Sequence, residues 1–182
     1  MKKLTTLAIL VLLTGCASPK LSLDYRPQST MELDGAIRVG QFEYKRATDV
    51  ADNQIPNTAL GSGLYTPQPI GEFFEDAVRK EFRQSGLSLN SQECELTGVI
   101  SKLIVDDLGF SVDYRISVDY RLSNNSTTML NEQVSTELPE MSKFVSAEVV
   151  LNNINKMFSD NILMLMSKSN FNKALSDQCV RR

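Results

Sequence analysis

The chain has 182 residues with 19 basic and 22 acidic side chains, a formal charge of −3, and neither histidine nor tryptophan. Without histidine there is no Ser-His-Asp triad, no Cys-His pair and no His-ligated zinc, and without tryptophan there is no Trp-platform sugar site. The mild acidity and the lack of a basic block argue against nucleic acid or anionic headgroups as the main partner.

The N-terminus, MKKLTTLAILVLLTGCAS, pairs a basic start (Lys2, Lys3) with an apolar run from Leu4 to Leu13 and a small-residue exit. That is the layout of a secretory signal, too short for a permanent membrane span. Its exit, Leu13-Thr14-Gly15-Cys16, resembles a bacterial lipobox. The resemblance implies cleavage before Cys16 and acylation of that cysteine, with several acyl chains holding the protein on a membrane. An ordinary secretory signal with an incidental Cys16 is the alternative. Ala17 carries no inner-membrane retention signal of this class, so the resemblance implies the periplasmic face of the outer membrane. The mature chain loses Lys2 and Lys3, leaving 17 bases against 22 acids, a charge of −5.

Residues 16–30 hold two prolines and small polar residues without apolar periodicity, and are expected to form a flexible tether. Residues 31–182 are long enough for a single domain with its own core. Its two remaining thiols, Cys94 and Cys179, sit in an oxidising compartment and are expected to pair, unpaired thiols being the alternative.

Along the domain, Ile37 and Val39, then Phe42 and Tyr44 after a slip at Gly40, predict a first strand. About 25 residues rich in Gly, Pro and Asn follow, long for a loop in a compact domain. Their apolar residues (Ile55, Leu60, Leu64, Tyr65) could fold back on the core or dock on a partner. Pro69 and Gly86 then bracket a helix with Ile70, Phe73, Phe74, Ala77, Val78 and Phe82 as its stripe. Glu75, Arg79, Lys80 and Glu81 are assigned to its wet side.

Residues 94–105 predict a second strand, turning at Asp106, Asp107 and Gly109. The third, FSVDYRISVDYRLS (110–123), contains Ser-Val-Asp-Tyr-Arg twice. The repeat unit of six residues is even, so both copies present the same faces. Phe110, Val112, Tyr114, Ile116, Val118, Tyr120 and Leu122 are expected under the helices. Asp113, Arg115, Asp119 and Arg121 share the wet face, as a solvated surface or a strip for partner recognition. Residues 130–138 give a fourth strand, 146–167 a second amphipathic helix capped by Ser146, and a short tail with Phe171, Ala174 and Leu175 leads to Cys179. The expected fold is α+β: a two-layer sandwich of a mainly antiparallel, roughly four-stranded sheet with two helices on one face.

The lipobox, the first strand, PIGEFFEDAVRKEFRQSGL, a strand hairpin and VVLNNINKMFSDNILML together resemble the YajG-type bacterial outer-membrane lipoproteins. These resemble in turn LptE-type and ABC-transport auxiliary lipoproteins. The resemblance covers most of residues 35–168, and the Trp-containing helix motif of the ABC auxiliary proteins is missing. It implies no catalytic residue, cofactor or metal. The function it implies is a non-enzymatic binding or accessory subunit of an envelope assembly or transport machine, with a protein partner in the envelope. Two other functions stand beside it. A carrier would hold lipid or lipopolysaccharide in an apolar groove between helices and sheet, where the methionines of MFSDNILMLM would suit an adaptable lining. A cell-wall or lipid hydrolase would need paired carboxylates such as Asp106-Asp107 or Glu93-Glu95.

Overall fold

The computed structural model describes residues 23–58 and 64–179. Its framework is a four-stranded sheet in the order β1 (Arg38–Tyr44), β4 (Cys94–Asp106), β5 (Ser111–Asn124), β6 (Thr127–Ser142). Three helices accompany it: α1 (Ile70–Gln84), α2 (Ala147–Ser167) and α3 (Ser169–Gln178). The α+β class and the four strands agree with the sequence. Two features correct it.

First, the sheet is mixed, because β1 lies parallel to β4 while β4–β5 and β5–β6 are antiparallel. Parallel neighbours need a long crossover, and the connection carrying α1 supplies it. Side-chain alternation reports which face a residue takes, not which way its strand runs. Second, the tail is a third helix of ten residues that buries Phe171 and Leu175. It follows α2 after a single break at Lys168, whose extended backbone ends the first helix.

The slip at Gly40 is present as a register shift between Val39 and Phe42. A second shift removes Ser101 from the β4–β5 ladder, so Leu96 and Ile100 face inward before it and Leu103 and Val105 after it. A third falls at Pro139-Glu140 on edge strand β6, where Glu140 takes φ +56° and its amide donates to Asp113 (2.8 Å). Proline is tolerated there because a bulge has no ladder bond to lose.

The even residues of β5 from Val112 to Leu122 are all buried, as the six-residue period requires. Phe110 is the exception: it was expected under the helices but lies before the strand begins and is 98% exposed. Above the sheet, Phe42, Phe74, Tyr120 and Phe158 meet with ring centroids 5.4–6.4 Å apart. The Tyr120 hydroxyl donates to Asn161 Oδ1 (2.8 Å), whose amide reaches the Val134 carbonyl (3.0 Å) and the Thr136 hydroxyl (3.2 Å). A buried polar group in helix α2 is thereby fully matched.

The long loop folds back. It contains a two-stranded piece, β2 (Gln54–Ile55) with β3 (Leu64–Tyr65), and buries Ile55. Pro56 accepts the Val105 amide (2.8 Å), closing the sheet at this end. Leu60 lies outside the described residues.

Residues 23–30, expected as part of a tether, instead form a strap between α1 and α2. Leu23, Tyr25 and Ser29 are buried. Its latch is Glu81, which was expected on the wet side of α1 and is fully buried. Glu81 Oε1 accepts from the Tyr25 hydroxyl (2.6 Å), the Ser159 hydroxyl (2.8 Å) and the Gln28 amide (2.9 Å), and Oε2 from the Ser29 amide (2.8 Å). Arg26 and Asn155 exchange two further bonds of 2.9 and 3.1 Å. Burial, and then the bond to Glu81, push the Tyr25 phenol far above its ordinary range.

Cys94 and Cys179 are bonded, their Cα atoms 5.7 Å apart. The bond ties the start of β4 to the residue after α3, and Ala36 donates to the Cys179 carbonyl beside it (2.8 Å). The disulfide and the β5–β6 turn mark the lower end of the sandwich. The upper end carries the β4–β5 turn and the first residues of α2.

Candidate functional site

The two faces of the sheet differ in kind. The inner face is closed by α1 and α2, with Phe74, Val78, Tyr120, Phe158 and Ile162 buried. Among the described residues the outer face has no helix over it. It presents the odd residues of β5, and Asp113, Arg115, Asp119 and Arg121 lie along it as alternation predicts.

The two copies of the repeat behave differently. Arg115 is the centre of a cluster spanning three strands: Nη2 meets Asp113 (2.5 Å), Nη1 meets Asp106 of β4 (3.1 Å) and Nε meets Glu137 of β6 (2.6 Å). Its guanidinium is held in the charged form first by the hydrogen bond to Glu137 and then by that to Asp106. Asp106 titrates below the usual carboxylate range, mainly through the Thr58 hydroxyl (3.0 Å) and further through Arg115. Three carboxylates around one guanidinium satisfy all three faces of the fork. In the second copy, Asp119 accepts from Gln133 (2.7 Å), while Arg121 is exposed and makes no ion pair among the described residues. Ser117 and Ser135 bond between the two sets (2.9 Å). The strip therefore has a satisfied upper half and a lower half whose arginine is available to another molecule.

Of the carboxylate pairs considered for hydrolysis, Asp106 and Asp107 turn apart. Asp106 turns to Arg115 and Thr58, and Asp107 turns the other way to Lys143 (2.9 Å). Glu95 pairs with Arg38 (3.2 Å). Among the described residues no group of three His, Cys, Asp or Glu side chains is placed to hold a metal ion.

Two recesses bear on the carrier reading. An open groove of about 470 Å³ runs along β6, between Ser135–Glu137 and Asp160, Leu163 and Met164 of α2. A more enclosed recess of about 260 Å³ lies at the upper end, lined by Val105, Val112, Tyr114, Lys143 and Val150. The first is shallow and the second lies below the usual range of ligand cavities, about 300–1,000 Å³. Of the methionines in this stretch, Met157 and Met166 are core, and Met164, partly exposed, lines only the shallow groove beside β6.

Sequence reasoning missed Glu81, the Asp107–Lys143 pair and the exposed residues of the upper end. Cys16 and the signal lie outside the described residues, so the anchor rests on sequence. No helix among the described residues is long and apolar enough to cross a membrane.

No protein-family model matches the chain, and no curated protein matches it. Solved structures do. Protein XCC0632 from Xanthomonas campestris, of the family model DUF330, superposes with a TM-score of 0.66 at 14% identity, over 86% of this chain and 97% of that one. Hypothetical protein CT253 from Chlamydia trachomatis gives 0.51 at 11% identity, over 75% and 96%. At these identities the likeness shows a shared fold. Lipoprotein GNA1162 from Neisseria meningitidis is far looser, with a TM-score of 0.32 at 12% identity over 71% and 99%, and carries no argument.

Proposed function

We propose that this protein is a non-enzymatic accessory component of the bacterial cell envelope. It is anchored by acylated Cys16 to the periplasmic face of the outer membrane and binds a protein partner through the open face of its sheet. The observation that carries this reading is the asymmetry of the sheet. One face is covered by helices, while the other carries a patterned row of charge in which Arg121 makes no ion pair among the described residues.

Ion pairs at a solvent-accessible surface contribute little to folding, roughly 0–1 kcal/mol a pair. The same charges set register and encounter rate when a complementary surface arrives. The charge of −5 on the mature chain favours a protein surface over a nucleic acid. The YajG-type resemblance of the sequence supports an assembly or transport machine as the setting.

The test is affinity capture of the lipidated protein from envelopes, with wild type beside a chain carrying Asp113→Ser, Arg115→Ser, Asp119→Ser and Arg121→Ser. A partner recovered reproducibly with wild type and lost with the variant supports the open face as the binding surface. Equal recovery with both, at equal folding, removes the strip from the interface. Recovery of lipid alone counts against the accessory reading.

A further inference from the structure

The two edges of the sheet are finished differently. Edge strand β1 has seven residues, broken by the shift at Gly40, and α1 covers it. Arg79 Nη2 donates to the Val39 carbonyl (2.8 Å), and the Gly71 backbone lies against the Phe42 carbonyl. Edge strand β6 has 16 residues and pairs with β5 without a shift from Leu130 to Leu138. Among the described residues no strand pairs with its far side. Such an edge offers a row of backbone donors and acceptors to another chain unless charge, proline or a bulge blunts it. The bulge at Pro139-Glu140 blunts one end, and Asn161 engages the Val134 carbonyl (3.0 Å). Ser135 to Leu138 lie between these two features.

The open groove of about 470 Å³ lies along this same stretch, and its two sides differ. Toward the helices it is mainly apolar, with Met31, Leu163 and Met164, the last 42% exposed. Toward the outer face it is acidic. Strand β6 carries Glu132, Glu137 and Glu140 and no lysine or arginine. Glu137 shares Arg115 with Asp106 and Asp113, three carboxylates to one guanidinium, and Glu140 makes no ion pair among the described residues. On the helix side Glu132 and Asp160 are each matched by a lysine, Lys168 and Lys156. The surplus of negative charge is therefore on the outer side. A second copy of this chain would bring the same acidic edge against it, and like charges on paired strands are destabilising. The complement is a strand of alternating side chains, apolar toward Met164 and basic toward Glu137 and Glu140.

We propose that the β6 edge takes an extended, alternately apolar and basic segment of a protein partner as a fifth strand beside the four of the sheet. Main-chain hydrogen bonds give this mode of recognition its affinity, and the alternate side chains give it selectivity. A strand laid on an edge needs no enclosing cavity, which suits a groove too shallow to hold a small molecule. The surface is separate from the Arg121 end of the strip, so this inference goes beyond the open-face reading and does not depend on it.

The probe is a blocked decapeptide alternating valine and lysine, added to the full-length protein in an uncharged detergent. Anisotropy of the labelled peptide reads binding, and amide hydrogen exchange reads its place. The expected result is binding that protects β6 amides between Ser135 and Leu138 and weakens in high salt. The same peptide N-methylated at every amide cannot donate to the edge and is expected to bind about tenfold more weakly or worse. A valine–glutamate peptide is expected to lose at least about as much through like-charge repulsion. Glu137→Lys with Glu140→Lys should reverse that preference, and Glu140→Lys alone, which breaks no ion pair, should narrow it. Equal binding of the N-methylated peptide, or protection elsewhere than β6, overturns strand addition. Equal binding of the valine–glutamate peptide overturns the basic partner. No binding of the valine–lysine peptide overturns the whole inference and leaves the envelope capture of the proposed function untouched. Protection of β6 that rises with protein concentration before peptide is added assigns the edge to a second copy and overturns it as well.

Discussion

The Glu81 latch gives a sharp test of how the strap is held. Every group meeting its side chain donates a hydrogen: two backbone amides and two hydroxyls at 2.6–2.9 Å. Glu81→Gln keeps the shape but replaces one acceptor oxygen with an NH₂. If the remaining oxygen keeps its three donors, the NH₂ faces the buried Ser29 amide, donor against donor. One orphaned buried donor costs about 1–3 kcal/mol, so the expected loss is about 2 kcal/mol. Glu81→Ala orphans the whole set and is expected to cost about 4 kcal/mol, less than four full penalties because water can enter the space. Urea unfolding in oxidising buffer reads the change. With a slope of about 1–3 kcal/mol per molar, the Gln variant shifts the midpoint by about 1 M. Hydrogen exchange localises it: the amides of Gln28 and Ser29 are expected to exchange faster while the β5 amides change less. Glu75→Gln, which touches only the Arg79 ion pair one turn away, serves as control and should cost under about 0.5 kcal/mol. A Gln variant within that same range, or unchanged exchange at Gln28 and Ser29, would refute the latch.

Four further outcomes follow from the packing and charge already described. Replacing Cys94 and Cys179 by Ser opens a cross-link between residues 85 apart, and the chain-entropy account expects a loss of about 4 kcal/mol in the urea midpoint, reproduced in wild type by reductant. Gly71→Ala would drive a Cβ into the Phe42 backbone carbonyl where α1 crosses β1; the expected cost is at least about 1–3 kcal/mol, a fall in Tm of several degrees by calorimetry. Asp106 and Glu132 both titrate low when folded, the first mainly through Thr58 and the second through Lys168. A depressed folded pKa means stability that is complete above the ordinary carboxylate range, near pH 4, and is lost as pH falls through the folded value. Urea midpoints taken from pH 6 to pH 3 should therefore decline, and 1 M salt should flatten the decline because both groups are solvent-accessible. The buried phenols of Tyr25 and Tyr120 are raised instead, so their contribution is intact below about pH 10 and is lost on further alkalinisation.

Much of this fold is legible where the sequence has a period. The aromatic stripe of α1, the alternation of β5 and the slip at Gly40 each name a face, and burial agrees with them. The bulge at Ser101 was readable too, since Leu96 and Ile100 are even and Leu103 and Val105 odd. Other features lie outside what a period encodes. The parallel entry of β1 is a matter of direction. The ten-residue α3 has Phe171, Ala174 and Leu175 at helical spacing, but the run is too short to stand out from a tail. Glu81 sits four residues after Ala77 and three after Val78, on the buried stripe by position. Its charge argued the other way, and the donors that accept it into the core come from the strap and α2, far off in the chain. Phe110 fits the alternation but lies one residue outside the strand. For the wet strip, alternation gives the shared face of Asp113, Arg115, Asp119 and Arg121. It does not give Glu137 or Asp106, whose meeting with Arg115 depends on strand order.

The β5–β6 hairpin has a consequence for distance. Strand β5 is 14 residues long, which at the rise of an extended strand is about 45 Å from end to end. Along it Arg115 and Arg121 are six residues apart, about 20 Å, so the satisfied and the open halves of the strip lie toward opposite ends of the sheet. A partner that reads Arg121 beside the Asn125-Ser126 turn need make no contact with the Arg115 cluster.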